Sequence, residues 1–469
     1  MNRCGPLVRA LLLALALLLP SLGRSGEKVR EYYDNGALKA EYFVDSQGRK
    51  SGLYKEFHPG GQLKAKVIFQ ADAMEGQYES WHANEKPFIT CRYRAGLLQG
   101  PWKELRADGS KVLTCAYQDG KLEGAWSAFD AAGQPVEEAT YKSGRRNGPR
   151  RLLQAGEILS EQEWQGDLLV GLFGSKLLYR MPLAEMRTTL AELQENPELA
   201  RLAREAKESG DPSRQLAADR ARALTRLRGH RYLAGVPWED FSSEAGAEDR
   251  AMEAARLLEA HGAIHYTPDN PGWEDERYAR ARDALQRCNL AQGLRLEQAV
   301  DAWIFPTDLG SFPKMLARRL CLEPRMAKIG LGWSGKFCTL WTGDSSGPIW
   351  RDTGIFLPAR GWMPVEWFDA ASPWTARLHA TEFQMPDERA VQVRVRALDE
   401  NYVLHGAAFP MDFVRADRDQ LIFHPQLVVK PGFLYWVEVD GLKKPDGTAA
   451  RLSWLVHFVS ARAEEEASG

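Results

Sequence analysis

Residues 76–99 read GQYESWHANEKPFITCRYRAGLLQ, and residue 100 is again a glycine. The same layout returns along the chain, with Gly52, Gly76, Gly100, Gly124 and Gly148 spaced by 24 residues. Two residues beyond the first four stand Tyr54, Tyr78, Trp102 and Trp126, and five beyond each glycine stand Phe57, Trp81, Leu105, Phe129 and Leu153. A further column, Phe69, Tyr93, Tyr117 and Tyr141, keeps the period. Turn pairs fall between the segments at Asn35-Gly36, Gly60-Gly61, Asp108-Gly109 and Ala132-Gly133, and a weaker unit follows with Trp164, Gly166 and Gly171. Short aromatic segments punctuated by glycine at a fixed period predict one β-hairpin per repeat. No single hairpin can bury its own rings, so neighbours must stack into a ribbon-like sheet over residues 27–175.

The N-G turns, aromatic segments and G-x-aromatic units resemble the MORN-repeat variant family. The resemblance implies an extended binding surface, or a structural spacer, since repeat arrays serve as both. Cys91 and Cys115 hold equivalent places in adjacent repeats. Two strands of spacing put them about 10 Å apart, beyond the roughly 7 Å Cα separation that a disulfide spans, so they are expected to stay unpaired.

Composition is that of ordinary globular material, 44% hydrophobic and 26% charged, and 469 residues allow several domains. With 61 basic against 63 acidic residues the net charge is −2, which offers nothing to nucleic acid or to an anionic membrane. Arg3 and Arg9 precede the apolar run Ala10 to Leu19 and the exit Pro20-Ser21-Leu22-Gly23. That three-part pattern predicts a signal peptide over residues 1–24 and export to the periplasm, the cell surface or the outside. The run is too short for a transmembrane anchor. Beyond Cys4 the chain has five cysteines, an odd number that leaves at least one thiol without an intrachain partner.

After the repeats, Leu183, Met186, Leu190 and Leu193 recur at helical spacing until Pro197, and Leu199 and Leu202 continue to Gly210-Asp211-Pro212. Residues 180–216 are therefore read as a helical linker. A helical pattern ending in His230-Arg231 leads to Gly235-Val236-Pro237, and a second helix carries Ala251, Met252, Ala255, Leu257 and Leu258 to a stop at Gly262. His265-Tyr266-Thr267-Pro268 follows, then Cys288-Asn289-Leu290-Ala291-Gln292-Gly293, a helix from Leu296 to Trp303, Arg318-Arg319-Leu320 with Pro324, and the hairpin Ile329–Trp333 with Thr339–Trp341.

That order of pieces resembles the CAP superfamily (cysteine-rich secretory, antigen 5 and pathogenesis-related proteins), closest to its bacterial form. The resemblance implies an αβα sandwich over residues 217–375, in an α+β arrangement. Its cleft uses two histidines and two acidic residues. The first histidine maps to His265, but the other three positions fall on Cys288, Pro306 and Ala317. A tetrahedral metal site needs three or four N, S or O ligands, so no cofactor or metal is expected. The candidate cleft is His265, Cys288, Asn289 and Trp303, with no catalytic assignment.

His261 and His265 are four apart, but Gly262 between them ends the helix, so they need not share a face. Glu297 and Asp301 are also four apart, read as a solvated acidic face in preference to a paired-carboxylate site. Cys321 precedes the hairpin and Cys338 lies on its second strand, so a chain return is expected to bring them into a disulfide, with two buried thiols as the alternative. Cys288 is expected to stay unpaired. No G-x-S-x-G, H-E-x-x-H, paired C-x-x-C or phosphate-loop pattern occurs in the sequence.

Ile349 to Trp374 is rich in Trp, Pro and Gly, read as a cover for the central sheet or as a set of ligand-gripping aromatics. From residue 376 to 461 the pattern turns to period two, as in Val391, Val393 and Val395, which predicts a β-sandwich. Lys430-Pro431-Gly432-Phe433-Leu434-Tyr435-Trp436 with Trp454 to Phe458 resembles bacterial Ig-like domains. Residues 462–469 form an acidic tail. The whole reads as a multidomain, exported, non-enzymatic binding or envelope-structure protein with an unidentified protein, glycan or lipid ligand. The alternatives are a secreted hydrolase or protease built on His265, and a lipid or sterol binder.

Overall fold

The computed structural model describes residues 26–176, 181–306, 315–350, 352 and 354–462. The expected signal peptide lies outside them, as does the acidic tail apart from Arg462. Two compact units divide the chain at Gly174. Among the described residues no helix is long and apolar enough to cross a membrane.

The first unit is an antiparallel meander from Glu27–Tyr32 to Leu168–Leu172, each long strand pairing with the next, while the two-residue strands Leu97–Leu98 and Lys121–Leu122 pair only with the strand before them. The period has a conformational cause: Gly76, Gly100 and Gly124 sit at φ of 81°, 79° and 81°, where a side chain is strained. In each hairpin a ring lies opposite a small residue: Tyr54 opposite Val67, Tyr78 opposite Cys91, Trp102 opposite Cys115, Trp126 opposite Ala139. Two residues along, the glycine faces the second ring: Gly52–Phe69, Gly76–Tyr93, Gly100–Tyr117, Gly124–Tyr141. Strand alternation puts both ring columns on one face. The Phe57 and Trp81 column, an odd number of residues away, belongs to the other face.

Two hydrogen-bond ladders tie repeat to repeat. On one side His58 and His82 donate from Nε2 to the carbonyls of Trp81 and Leu105, each at 2.9 Å, and Arg106 donates to Phe129 O at 2.7 Å. On the other, Glu75, Gln99 and Glu123 accept from the amides of Ala95, Asp119 and Ser143 at 2.7, 2.9 and 2.7 Å. The last unit departs from the pattern. Arg150 stands where a ring is due and bonds Glu137 at 2.6 Å and Gln162 at 3.0 Å.

The second unit opens with helices α1 (Leu183–Gln194), α2 (Pro197–Ser209) and α3 (Pro212–Ala234). The linker boundary expected at residue 216 therefore falls inside α3, which Asp211 caps through the Ser213 amide at 2.8 Å. Helices α4 (Ala245–His261), α5 (Asp275–Leu285), α6 (Leu296–Ile304) and α7 (Leu316–Cys321) follow, with a sheet ordered Ser242–Ser243, Lys328–Ser334, Phe337–Trp341, Cys288–Gln292. Helix α4 ends at Gly262, φ 84°, as expected. It lies so close on the hairpin that a Cβ on Gly330 or Gly332 would stand 1.9 Å from Ala247 O or 2.3 Å from Ala251 O. That contact is the physical content of the Ile329-Gly330-Leu331-Gly332 run.

Two more sheets complete this unit: Gly354–Leu357, Trp374–Leu378, Gln420–Pro425 and Met411–Asp417 in one, and Gly361–Pro364, Ala449–Val459, Leu434–Lys443, Gln392–Leu398 and Leu404–His405 in the other. The boundary expected at 375/376 is thus corrected, because the strand Trp374–Leu378 runs through it. Ile355-Phe356-Leu357 is buried on both faces, and such strands give no period-two signal. Trp367 and Trp374 are core residues: one continuous apolar core runs from Leu227 and Trp303 through them to Val395 and Phe458, and includes Leu331 and Leu340 of the central sheet.

Candidate functional site

The motif residues of the central stretch converge on the short helix α7 as clamps. Arg231 is fully buried and donates to Pro237 O at 2.8 Å, Cys321 O at 2.9 Å, Glu323 O at 3.0 Å and Met326 O at 3.1 Å. Arg318, also buried, donates to Ile304 O at 2.5 Å, Pro373 O at 2.7 Å, Ser372 Oγ at 2.7 Å and Thr375 Oγ1 at 3.1 Å. Burial pulls the two guanidinium groups down, to about 10 and about 9. Asn289 Nδ2 donates to Ala317 O at 3.0 Å and to Cys321 Sγ at 3.3 Å. Asn289, a cleft candidate, and the motif residues Arg231 and Arg318 are thus occupied in holding neighbouring segments together.

The four candidate cleft residues separate accordingly. His265 is exposed, its Nδ1 accepts from the Thr267 amide at 3.1 Å, and its ring lies 5.6 Å from that of His261, so the glycine between them does not part them. Cys288 begins a strand and packs with α4 and α5, its thiol on Ala284 O at 3.1 Å. Asn289 follows it and points to the opposite face, as adjacent strand residues must. Trp303 belongs to the large core and is 3% exposed.

The expected Cys321–Cys338 bridge is not formed, and Cys91, Cys115, Cys288, Cys321 and Cys338 are all free thiols. Cys321 takes the Asn289 bond, whereas Cys338 donates to Leu294 O at 3.1 Å. Burial pushes both up to about 12, so they stay protonated.

A further cluster draws Asp301 away from Glu297. Arg226 and His230, one turn apart on α3, both reach Asp301 Oδ1, each at 2.8 Å. His230 is fully buried between Phe305 and Trp367, with ring centroids at 5.4 and 5.2 Å, and burial depresses it to about 4 despite the carboxylate. Burial opposes ionisation of Asp301, but His230 and Arg226 outweigh it and hold the carboxyl low. Arg226 stacks 3.9 Å over Trp367, beside an open cavity of about 340 Å3. The i,i+4 spacing of Arg226 and His230 is the only sequence signal for this cluster.

In the strand array the chemistry is repeated, not convergent. Ring centroids are 5.5 Å apart for Tyr54–Phe69 and 6.1 Å for both Tyr78–Tyr93 and Trp102–Tyr117, edge to face. Lys50 lies over Tyr42, Tyr54 and Phe69 at 4.8, 5.0 and 5.5 Å. The rings are half-buried over buried Val67, Cys91, Cys115 and Ala139. Burial pushes the Tyr54 and Tyr117 hydroxyls up to about 12 and raises those of Tyr78, Tyr93 and Tyr141. Beside the rings on the same face run Glu56, Ser80, Glu104 and Ala128, two residues along their strands, with Glu137 opposite Ala128.

Residues 50–71 and 117–143 match the MORN repeat variant family. No curated protein matches the chain. Among solved structures the likenesses are slight: a TarM of Staphylococcus aureus with UDP bound, at 8% identity and TM-score 0.14 over 34% of this chain and 24% of that one, and a GtfA/B complex bound to UDP and GlcNAc, at 14% and 0.12 over 27% and 25%. This chain therefore spans about a quarter of each. A cysteine-rich secretory protein of Staphylococcus aureus is similar at 9% identity and TM-score 0.17, over 70% of this chain and 90% of that one. At these scores none of the three carries a fold or a function to this chain.

Proposed function

We propose that the chain is an exported, non-enzymatic binding or envelope-structure protein whose strand array is the working surface. The observation that carries this reading is the face on which two aromatic columns recur, four successive repeats setting a Tyr or Trp over a small buried residue. The rings are only half-buried, and repeat arrays of this kind present extended surfaces to partners. The second unit supports the reading from the other side. Its resemblance to CAP and Ig-like domains remains one of motif order, and the motif residues Arg231, Asn289 and Arg318 are occupied in holding segments together. The basic, apolar and small-residue order of residues 1–24 is the basis for export.

The test is site-specific photo-cross-linking in producing cells. A benzophenone side chain at Tyr78, on the ring face, is expected to capture a macromolecule that the same group at Gln77, exposed on the opposite face, does not. Equal yields from both positions, or none from Tyr78, would remove the array as the working surface.

A further inference from the structure

We infer that the ring face binds a neutral, extended β-1,4-linked glycan strand lying across the β-strands, an inference that rests on the array being the working surface. Equivalent rings, Tyr78, Trp102 and Trp126, recur every second strand along the sheet beyond Tyr54, against which Tyr42 and Lys50 already pack. Neighbouring strands are about 4.8 Å apart, so the rings recur at about 10 Å. That is the length of a disaccharide in an extended β-1,4 chain. In such a chain each sugar is flipped relative to the next, so the same apolar C–H face returns only at every second unit. The match is therefore one of phase as well as length. An α-1,4 chain coils and does not present its faces in that rhythm.

The polar partners are placed to suit. A sugar stacked on a ring carries its hydroxyls at its rim, and the same face offers carboxylate acceptors at Glu56, Glu104 and, across from Ala128, Glu137. Glu56 is already held by Lys64 at 2.6 Å and Glu137 by Arg150 at 2.6 Å, which fixes their carboxylates for hydroxyl donors. Tyr and Trp suit this role because they offer a broad, rigid apolar face. Rings set half-down beside Glu56, Glu104 and Glu137 form no continuous apolar patch of the kind a protein partner covers. With a net charge of −2 and carboxylates beside the rings, an anionic polymer or membrane is disfavoured.

The experiment is titration calorimetry of the full chain with cellobiose, cellohexaose and maltohexaose. Cellohexaose, which spans successive rings, is expected to bind at least tenfold more tightly than cellobiose and tenfold more tightly than maltohexaose. Tyr78→Leu with Trp102→Leu is expected to lose at least tenfold in affinity. Tyr78→Phe keeps the ring and should bind as the parent does, so a loss caused by misfolding is separated by its melting temperature and by that variant. Equal affinity for the cello and malto chains, or no binding by a folded protein that still cross-links through Tyr78, would overturn the glycan assignment and leave the binding surface standing. Failure of both experiments would remove the surface itself.

Discussion

The two units of this chain keep their stability in different places. In the strand array each repeat contributes the same small terms: a ring pair worth about 0.5–1.5 kcal/mol beyond its buried area, and ladder bonds worth about 0.5–1.5 kcal/mol each. In the second unit a few buried polar groups hold many segments at once. Arg318 alone joins the end of α6 to residues 372–375. The difference teaches where function can vary: a face built of equal terms tolerates loss at one position, whereas a clamp does not.

The largest expected effect breaks a clamp. Arg318→Ala leaves four buried acceptors without their donor and should destabilise the protein by about 3–5 kcal/mol, the range for breaking a buried charged contact. Denaturant unfolding that resolves the transition of residues 175–469 measures it. A loss below 1 kcal/mol would show that water replaces the guanidinium there.

The second effect is one of pH. His230 is neutral in the folded state and ionises only near pH 4, whereas in the unfolded chain it takes up a proton near its ordinary value of about 6.5. The stability it confers is therefore complete above pH 6.5 and lost as the pH falls through 4, on the order of 3 kcal/mol for a shift of this size. Asp301, held low by His230 and Arg226, works in the same direction. Melting temperatures between pH 7 and 4 should fall steeply in the parent and less in His230→Gln.

Smaller is Gly332→Ala, whose Cβ must push α4 off the hairpin, for about 1–3 kcal/mol. Smallest is His82→Ala in the array, which removes one rung to Leu105 O. It should cost about 1 kcal/mol and leave the other repeats' amide protection unchanged. A collapse of protection throughout the array would contradict the picture of equal local terms.

The same contrast explains what was legible beforehand. Each hairpin touches only its neighbours, so Gly76, Tyr78 and Tyr93 report their roles through spacing alone, and even the separate thiols of Cys91 and Cys115 follow from strand geometry. In the second unit the helix stop at Gly262 and the hairpin at 329–341 were readable because they are local. The boundary at 375 was not, because the buried run Ile355-Phe356-Leu357 looks the same in a core helix or strand. Nor was the fate of the cysteines: Cys321 is held by Asn289, 32 residues away, and no local pattern announces it. For the candidate cleft, the motif order did not reveal that Cys288 and Asn289 are adjacent in a strand and so face opposite ways.

The most direct test of the central claim sets the array against the cleft in one protein. A benzophenone at Tyr78 and, separately, one at exposed His265 should be irradiated in producing cells and the adducts compared. The array account predicts a cross-linked partner from position 78 and none from position 265. Capture from 265 alone would contradict it and return the function to the second unit.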